Sequence, residues 1–428
     1  MFLSSVRGLW KEWHSPLLTM TIIGMVLVSM VFLGYEFWRL VFQMTYMGAV
    51  DLSYRYYEVN QYFSDNYIYA TLGSSVYPPA SYLMLWPFLG WLEWGQARWL
   101  WAITTVIYLI FLVRITLTAI PSVSAEDRKL RLFIGLLPLA VYGTGATIGN
   151  GQLPILSITA LLASFLLLTR SEVSWQNDLL AAGLFVVALI KPTLTAPFFL
   201  VWLFFAGRKR PTILVLSIYL VLIFCASSFH EGNTIQHHID WMKKGINGAM
   251  WGSSQSSAFN MYSLTHGGSA FEMAKYNLSS KNFLEYQFVH VSIQLTIAII
   301  ILCGIWLYFH NRVNIWIQIS VAAFAARFWT YHRWYDDLVI LLPMIALLRI
   351  ATESSYNDNT RTVSGILFGF TFIFMLAPGG IFLFPAPWNS YYAIIQIIIW
   401  IADLVFMLKL GWDEKKSLSQ VSGNLQNA

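Results

Sequence analysis

Residues Leu17–Leu33 read LLTMTIIGMVLVSMVFL, a run of 17 residues without a charged side chain. A helix of roughly 17 to 25 such residues can cross the ~30 Å hydrocarbon core of a bilayer. Apolar runs of similar length recur at Ile213–Phe229, Val289–Phe309 and Val363–Phe384. One such run can belong to the core of a soluble protein, but several cannot. The pattern therefore predicts a polytopic membrane protein.

The composition of the whole chain supports this prediction. Of its 428 residues, 57% are hydrophobic and 11% are charged, whereas ordinary soluble domains carry about 25% charged residues. The net charge of +5 is modest, and the basic residues lie near helix ends. We expect them to meet membrane lipids, and we expect no nucleic-acid partner. No cleavage site precedes Leu17, so the first helix is expected to remain as an anchor.

Lysine and arginine in short loops mark the cytoplasmic side of a membrane protein. They occur at Arg7 with Lys11, Arg128–Arg131, Arg208–Arg210, Arg312, Arg361, and Lys415 with Lys416. With these positions inside, the chain is predicted to cross the membrane about twelve times, with both termini cytoplasmic. The polar turns at 149–152 and 331–337, the Lys191-Pro192 helix break and the long polar stretch 230–288 then lie outside.

Residues 1–411 are predicted to form a single all-α transmembrane domain. Its first external loop, 43–96, is amphipathic and aromatic and should carry juxtamembrane helices. Within this loop Pro78–Trp94 is apolar but hardly long enough to span, which predicts a half-inserted segment. Residues 412–428 are expected to form a disordered cytoplasmic tail.

Polar and ionisable residues at membrane depth are costly and usually mark a functional site. On the predicted topology these residues share the external face. They are Asp51, the turn Tyr77-Pro78-Pro79-Ala80, Asn150, Gln152, Lys191, Asn260, and the turn His332-Arg333-Trp334-Tyr335-Asp336-Asp337.

The order and spacing of several of these motifs resemble the family 87 membrane glycosyltransferases. The motifs are Asp51 with Arg55, Tyr77-Pro78-Pro79-Ala80, Gly149-Asn150-Gly151-Gln152, Ala182-Gly183 before Lys191-Pro192, Asn260, and the turn at His332. The resemblance implies a GT-C-type bundle of transmembrane helices. It also implies a polyprenyl-phosphate sugar donor, typically of mannose, and a glycolipid or polysaccharide acceptor at the outer face of a bacterial plasma membrane. Within the family, the bacterial phosphatidylinositol-mannoside mannosyltransferases are the members that the chain resembles.

An inverting transfer from a polyprenyl phosphate needs a base for the proton of the acceptor hydroxyl and a means to stabilise the departing phosphate. Asp51 is the predicted base, and the resemblance places the essential acid of the family there. His332 is the second predicted catalytic residue, because a histidine can relay a proton or hydrogen-bond a sugar or phosphate.

The other candidates are predicted to bind substrate. Lys191, Arg55 and Arg333 are assigned to the donor phosphate, and Tyr77, Asn150, Gln152 and Asn260 to the sugar or acceptor. His332 with Asp336 and Asp337 also suggests a metal site. A monophosphate can be met by lysine and arginine alone, so no metal or other cofactor is predicted.

Each assignment has a structural alternative. Asp51 can be an interfacial carboxylate or helix cap, Lys191 can snorkel to headgroups, and Asn150 can satisfy backbone groups at a tight turn. At the level of function, the alternatives are a lipid-linked-saccharide transporter or flippase, an O-antigen polymerase or ligase, and an inactive homologue. Transporters concentrate charged groups at broken helices near the midplane, and only Lys191-Pro192 resembles such a break.

Overall fold

A computed structural model of the protein describes residues 2–43, 48–64, 67–72, 74–120, 127–170, 172–205, 208–230, 233–255, 294, 297–330, 332–385 and 387–426. All regular elements within these ranges are helical, and the only bridge of β type in them joins Val141 to Leu376. The prediction of an all-α protein is confirmed at this level.

The helices are, in chain order, α1 (Phe2–Val41), α2 (Val50–Tyr62), α3 (Ile68–Thr71), α4 (Pro79–Leu89), α5 (Trp94–Ala119), α6 (Arg128–Ala140), α7 (Tyr142–Asn150), α8 (Pro154–Leu168), α9 (Trp175–Ala188), α10 (Pro192–Thr195), α11 (Phe198–Phe204), α12 (Arg210–Ser227), α13 (Thr234–Gln255), α14 (Ile297–Phe309), α15 (Ile315–Phe328), α16 (Leu341–Thr352), α17 (Asp358–Met375), α18 (Gly380–Leu383) and α19 (Trp388–Gln426). A 3₁₀ segment, Trp334–Ile340, precedes α16.

Four of the described helices, α1, α5, α12 and α19, are long and apolar enough to cross a membrane. Their outer faces are apolar; Met20, Met30 and Val31 of α1, for example, are exposed. Such surfaces are unfavourable in water and favourable in lipid. By contrast, α7, α8, α15 and α16 are buried on nearly every side and form the centre of the bundle.

Hydrogen bonds between neighbouring helix ends show which ends lie at the same end of the bundle. At one end of the bundle, Lys129 at the start of α6 donates to Thr19 of α1 (3.1 Å), and Arg349 of α16 donates to the carbonyl of Ala119 (2.6 Å). At the opposite end, Arg98 at the start of α5 donates to the carbonyl of Leu40 (2.6 Å). The chain therefore runs back and forth between the two ends.

The chain bends at Lys191-Pro192, as the sequence predicts. The helical path is divided there into α9, α10 and α11, because proline has no N–H to continue the helical ladder. The hydroxyl of Thr195 donates to the carbonyl of Ala188 (2.8 Å) and so satisfies a group that the break would leave free. Similarly, α4 has 11 residues and reaches only about 16 Å, too short to span.

Residues 412–428 were predicted to form a disordered tail, and the structure continues α19 as far as Gln426. Glu414 holds the helix in place by accepting hydrogen bonds from the backbone N–H of Asn314 (2.9 Å) and the hydroxyl of Tyr356 (2.7 Å). Most of the predicted external stretch 230–288, including Asn260, lies outside the described residues.

Candidate active site

Asp51 lies in the first turn of α2, half-buried, close to the turn that joins α7 to α8. The N–H of Ala49 donates to the carbonyl of Gly149 (3.1 Å). This approach needs glycine in the turn: Gly151 has a φ of +66°, and a Cβ there would lie 2.5 Å from the Cβ of Leu52. Asp51 makes no hydrogen bond or ion pair with any described residue, so it is not a helix cap.

Arg55 and Glu58 extend the polar face of α2 from Asp51. The Arg55 guanidinium pairs with Glu58 (2.8 Å), donates to the carbonyl of Ser74 (3.1 Å) and lies over the ring of Tyr77 at 4.5 Å from its centroid. Arg55 is therefore buried, and its guanidinium is bound by other groups of the protein. Glu58 was not identified from the sequence, although the spacing 51, 55 and 58 places all three residues on one helix face.

Lys191 is buried and paired at the helix break. Its ammonium donates to Asp336 (2.5 Å) and Gln152 (3.3 Å) and lies 4.6 Å from the ring centroid of Tyr335. This geometry is incompatible with the alternative that Lys191 snorkels to headgroups. The contact joins the α7–α8 turn, the Lys191-Pro192 break and the 3₁₀ segment, which are far apart in the sequence.

His332 completes this cluster. It is fully buried, and its Nδ1 lies 3.2 Å from the second carboxylate oxygen of Asp336. Its Nε2 has no partner among the described residues. A nitrogen in this position can accept a hydrogen bond once Nδ1 carries the proton for Asp336.

The protonation states follow from burial and pairing. Burial alone would raise the pKa of Asp336, but Lys191 and His332 outweigh it and hold that pKa below its usual range. Burial lowers the pKa of His332, and Asp336 only partly offsets this effect. Asp336 is therefore ionised and His332 neutral at pH 7.

Asp337 anchors the 3₁₀ segment from the other side. Its carboxylate accepts from Arg327 Nε (2.5 Å) and from the hydroxyl of Tyr142, and Gln396 of α19 donates to that same hydroxyl (2.9 Å). None of these three partners was identified from the sequence. Arg327 could have been, because a charged residue inside the apolar helix α15 meets the same criterion that selected Lys191.

The remaining candidates are placed less centrally. Asn150 donates its amide to the carbonyl of Ala146 (2.8 Å), so it serves the end of α7, as the structural alternative proposed. Arg333 is half-buried, and its backbone N–H donates to Asp336 (3.3 Å). Within the described ranges, no three His, Cys, Asp or Glu side chains are grouped as metal ligands.

Electrostatic interactions of the Asp51 carboxylate connect several of the candidate residues. Asp51 acts electrostatically on Arg55, Tyr77, Lys191 and Tyr335. The structure thus brings Asp51, Arg55, Tyr77, Gln152, Lys191 and His332 to one region of the bundle. The residues come from five separate parts of the chain.

A helical membrane bundle with an unpaired carboxylate beside buried cations has the character of a membrane-embedded enzyme. The sequence model of glycosyltransferase family 87 matches residues 76–326, more than half of the chain. The chain belongs to this family. No curated protein and no solved structure matches it. The matched range contains Tyr77, Gln152 and Lys191, and the structure places Asp51 and His332, which lie outside that range, in the same region.

Proposed function

We propose that this glycosyltransferase takes a sugar, with mannose the expected one, from a polyprenyl-phosphate donor. The acceptor would be a glycolipid or polysaccharide at the external face of the plasma membrane. The observation that carries the proposal is the membership of family 87 together with the unpaired carboxylate of Asp51 beside the Lys191–Asp336–His332 cluster.

In the proposed reaction Asp51 takes the proton of the acceptor hydroxyl. The acceptor oxygen attacks the anomeric carbon, a new C–O bond forms, and the bond to the phosphate oxygen breaks with inversion. The polyprenyl phosphate leaves with the electron pair. Arg333 and the positive charge of Lys191 stabilise the developing phosphate charge. Lys191 has three N–H donors, and Asp336 and Gln152 use two of them.

Gln152 is assigned to the sugar through its amide, and His332, held by Asp336, keeps its proposed catalytic role. Arg55 and Tyr77 form the wall of the site on the α2 side, and Asn260 keeps its proposed role in acceptor binding. The proposed topology has about twelve crossings with both termini cytoplasmic. The cytoplasmic assignment of the basic loops is supported by the two sets of helix ends, since Lys129 and Arg349 lie at the end opposite Arg98.

The test is transfer of radiolabelled mannose from polyprenyl-phosphate mannose to a membrane glycolipid extract, with wild type and Asp51→Asn at equal abundance. A general base contributes about 10²- to 10⁴-fold, and a loss of that size in the variant is expected. Glu93→Gln, at an exposed position before α5, serves as the matched control. Absence of transfer by wild type from any polyprenyl-phosphate sugar would contradict the proposal.

A further inference from the structure

Two tyrosines near Asp51 have similar burial and similar backbone hydrogen bonds. Tyr77 and Tyr335 are each 7% exposed. The carbonyl of Tyr77 accepts from the hydroxyl of Tyr69 (2.8 Å), and the carbonyl of Tyr335 accepts from the hydroxyl of Thr147 (3.3 Å). Both residues are therefore fixed at the backbone.

Each ring covers a buried cation. The guanidinium of Arg55 lies 4.5 Å from the ring centroid of Tyr77, and the ammonium of Lys191 lies 4.6 Å from that of Tyr335. Each cation is also paired with a carboxylate, Arg55 with Glu58 and Lys191 with Asp336. Each cation is therefore balanced by a carboxylate while it lies over a tyrosine ring.

The hydroxyl groups, in contrast, are unused. Neither hydroxyl makes a hydrogen bond within the described part of the chain, and neither is sealed from solvent. A phenylalanine would cover a cation equally well, so the cation alone does not account for a hydroxyl at either position. A polar group in a nearly buried side chain needs a partner.

The hydroxyls are suited to an anionic oxygen. A cation on the ring face draws electron density from the ring and strengthens O–H as a donor. Burial, with the nearby charge of Asp51, raises the pKa of both tyrosines, so both remain protonated donors at neutral pH. Lys191 acts electrostatically on Tyr77 and lies 4.6 Å from the ring centroid of Tyr335, and Tyr77 in turn acts electrostatically on Tyr335, so the two tyrosines lie near each other.

We propose that the hydroxyls of Tyr77 and Tyr335 donate hydrogen bonds to the phosphate of the lipid-linked donor and hold it as it leaves. Arg55 and Lys191 then act on the phosphate through the rings that cover them. This inference rests on the proposed function, and it adds Tyr335 to the substrate-contacting residues. It also changes the role of Tyr77 from sugar contact to phosphate contact.

The experiment measures the binding of a short-chain polyprenyl monophosphate to the full-length protein in lipid nanodiscs. The corresponding polyprenyl alcohol, which has the tail without the phosphate, is measured in parallel. Tyr335→Phe and Tyr77→Phe are each expected to weaken binding of the phosphate about 10- to 100-fold, the usual value of a hydrogen bond to a charged group. Binding of the alcohol should not change.

Tyr392→Phe is the matched control, because the hydroxyl of Tyr392 already donates to the carbonyl of Phe374 (2.7 Å). It should bind the phosphate like wild type. Both test variants should also unfold at the wild-type temperature, since their hydroxyls make no internal hydrogen bond. This second measurement separates a lost contact from a lost fold.

Wild-type affinity for the phosphate in both Tyr77→Phe and Tyr335→Phe would overturn the inference, even if mannose transfer is established. Equal weakening for the phosphate and the alcohol would also overturn it, because the effect would then lie in the lipid tail. Failure of the proposed function has a different result: wild type would transfer no sugar, whatever its affinity for the phosphate.

Discussion

At the scale of single residues, the site is a set of buried charges that depend on one another. Asp336 balances Lys191 and orients His332 through its two oxygens. Breaking a buried pair by removing one partner leaves an uncompensated charge, which costs far more than the pair contributes. Substitutions here are expected to affect stability as well as activity, so each needs a measurement of both.

Asp336→Asn is expected to destabilise the protein by about 3–5 kcal/mol, because it leaves the Lys191 ammonium buried without a counter-charge. Thermal unfolding in detergent measures the effect. The double variant Lys191→Met with Asp336→Leu removes both charges and should recover most of the stability while remaining inactive. A single variant as stable as wild type would show that the pair is not buried in the membrane-embedded protein.

His332 predicts a pH dependence of stability. Burial lowers its pKa below the usual 6.5, so the unfolded chain binds a proton near that pH and the folded protein does not. Stability should therefore fall as the pH drops below about 6.5, by up to ~1.4 kcal/mol per pH unit. The lowered pKa of Asp336 gives a stabilisation that is lost only in stronger acid, below the pKa of an unfolded aspartate.

The measurement compares the melting temperatures of wild type and His332→Gln between pH 7.5 and 5.5. The variant should lose less stability than wild type over this range, and the comparison cancels the contribution of the other histidines. Parallel curves for the two proteins would show that folding does not lower the pKa of His332.

At the scale of elements, the position of Asp51 depends on how α2 rests on the α7–α8 turn. Gly151→Ala would force a non-glycine residue to a φ of +66° and bring its Cβ to 2.5 Å from the Cβ of Leu52. We expect a destabilisation of about 1–3 kcal/mol and a loss of transfer, because α2 must shift and Asp51 with it. Stability is measured by thermal unfolding and activity by the transfer assay.

Gly183→Ala is the control for this change. Gly183 lies inside α9, and nothing lies within 4 Å of a Cβ placed there. The variant should be as stable as wild type or up to about 1 kcal/mol more stable, with unchanged transfer. Equal effects of the two substitutions would mean that the turn does not position α2.

At the scale of the whole molecule, α5 links the two ends of the bundle. Arg98 near its start contacts the end of α1, and Ala119 at its end contacts Arg349 of α16. Glu93 and Ser354 therefore lie at opposite ends of the bundle. The proposed topology puts Glu93 on the external side of the membrane and Ser354 on the cytoplasmic side.

Single cysteines test this orientation in a background with Cys225 and Cys303 replaced by alanine. A membrane-impermeant maleimide should label Glu93→Cys in intact cells and label Ser354→Cys only after permeabilisation. Labelling of Ser354→Cys alone in intact cells would invert the topology, and labelling of both would contradict a spanning α5.

The sequence by itself determined the membrane character, the helix break at Lys191-Pro192 and the polar turns that supply the site. These features follow from local properties: the length of an apolar run, the missing N–H of proline, and the cost of a charge at membrane depth. They can be predicted without knowing which helices are neighbours. The resemblance that led to family 87 rested on the same short motifs.

Only the tertiary structure decided which partner each polar residue meets. Lys191 pairs with Asp336, Arg327 pairs with Asp337, and Arg55 pairs with Glu58 and lies over the ring of Tyr77. Lys191 and Asp336 are 145 positions apart in the chain. Such pairs form because helix packing brings distant turns together, and the energy of a buried charge depends on that environment and not on its sequence neighbours.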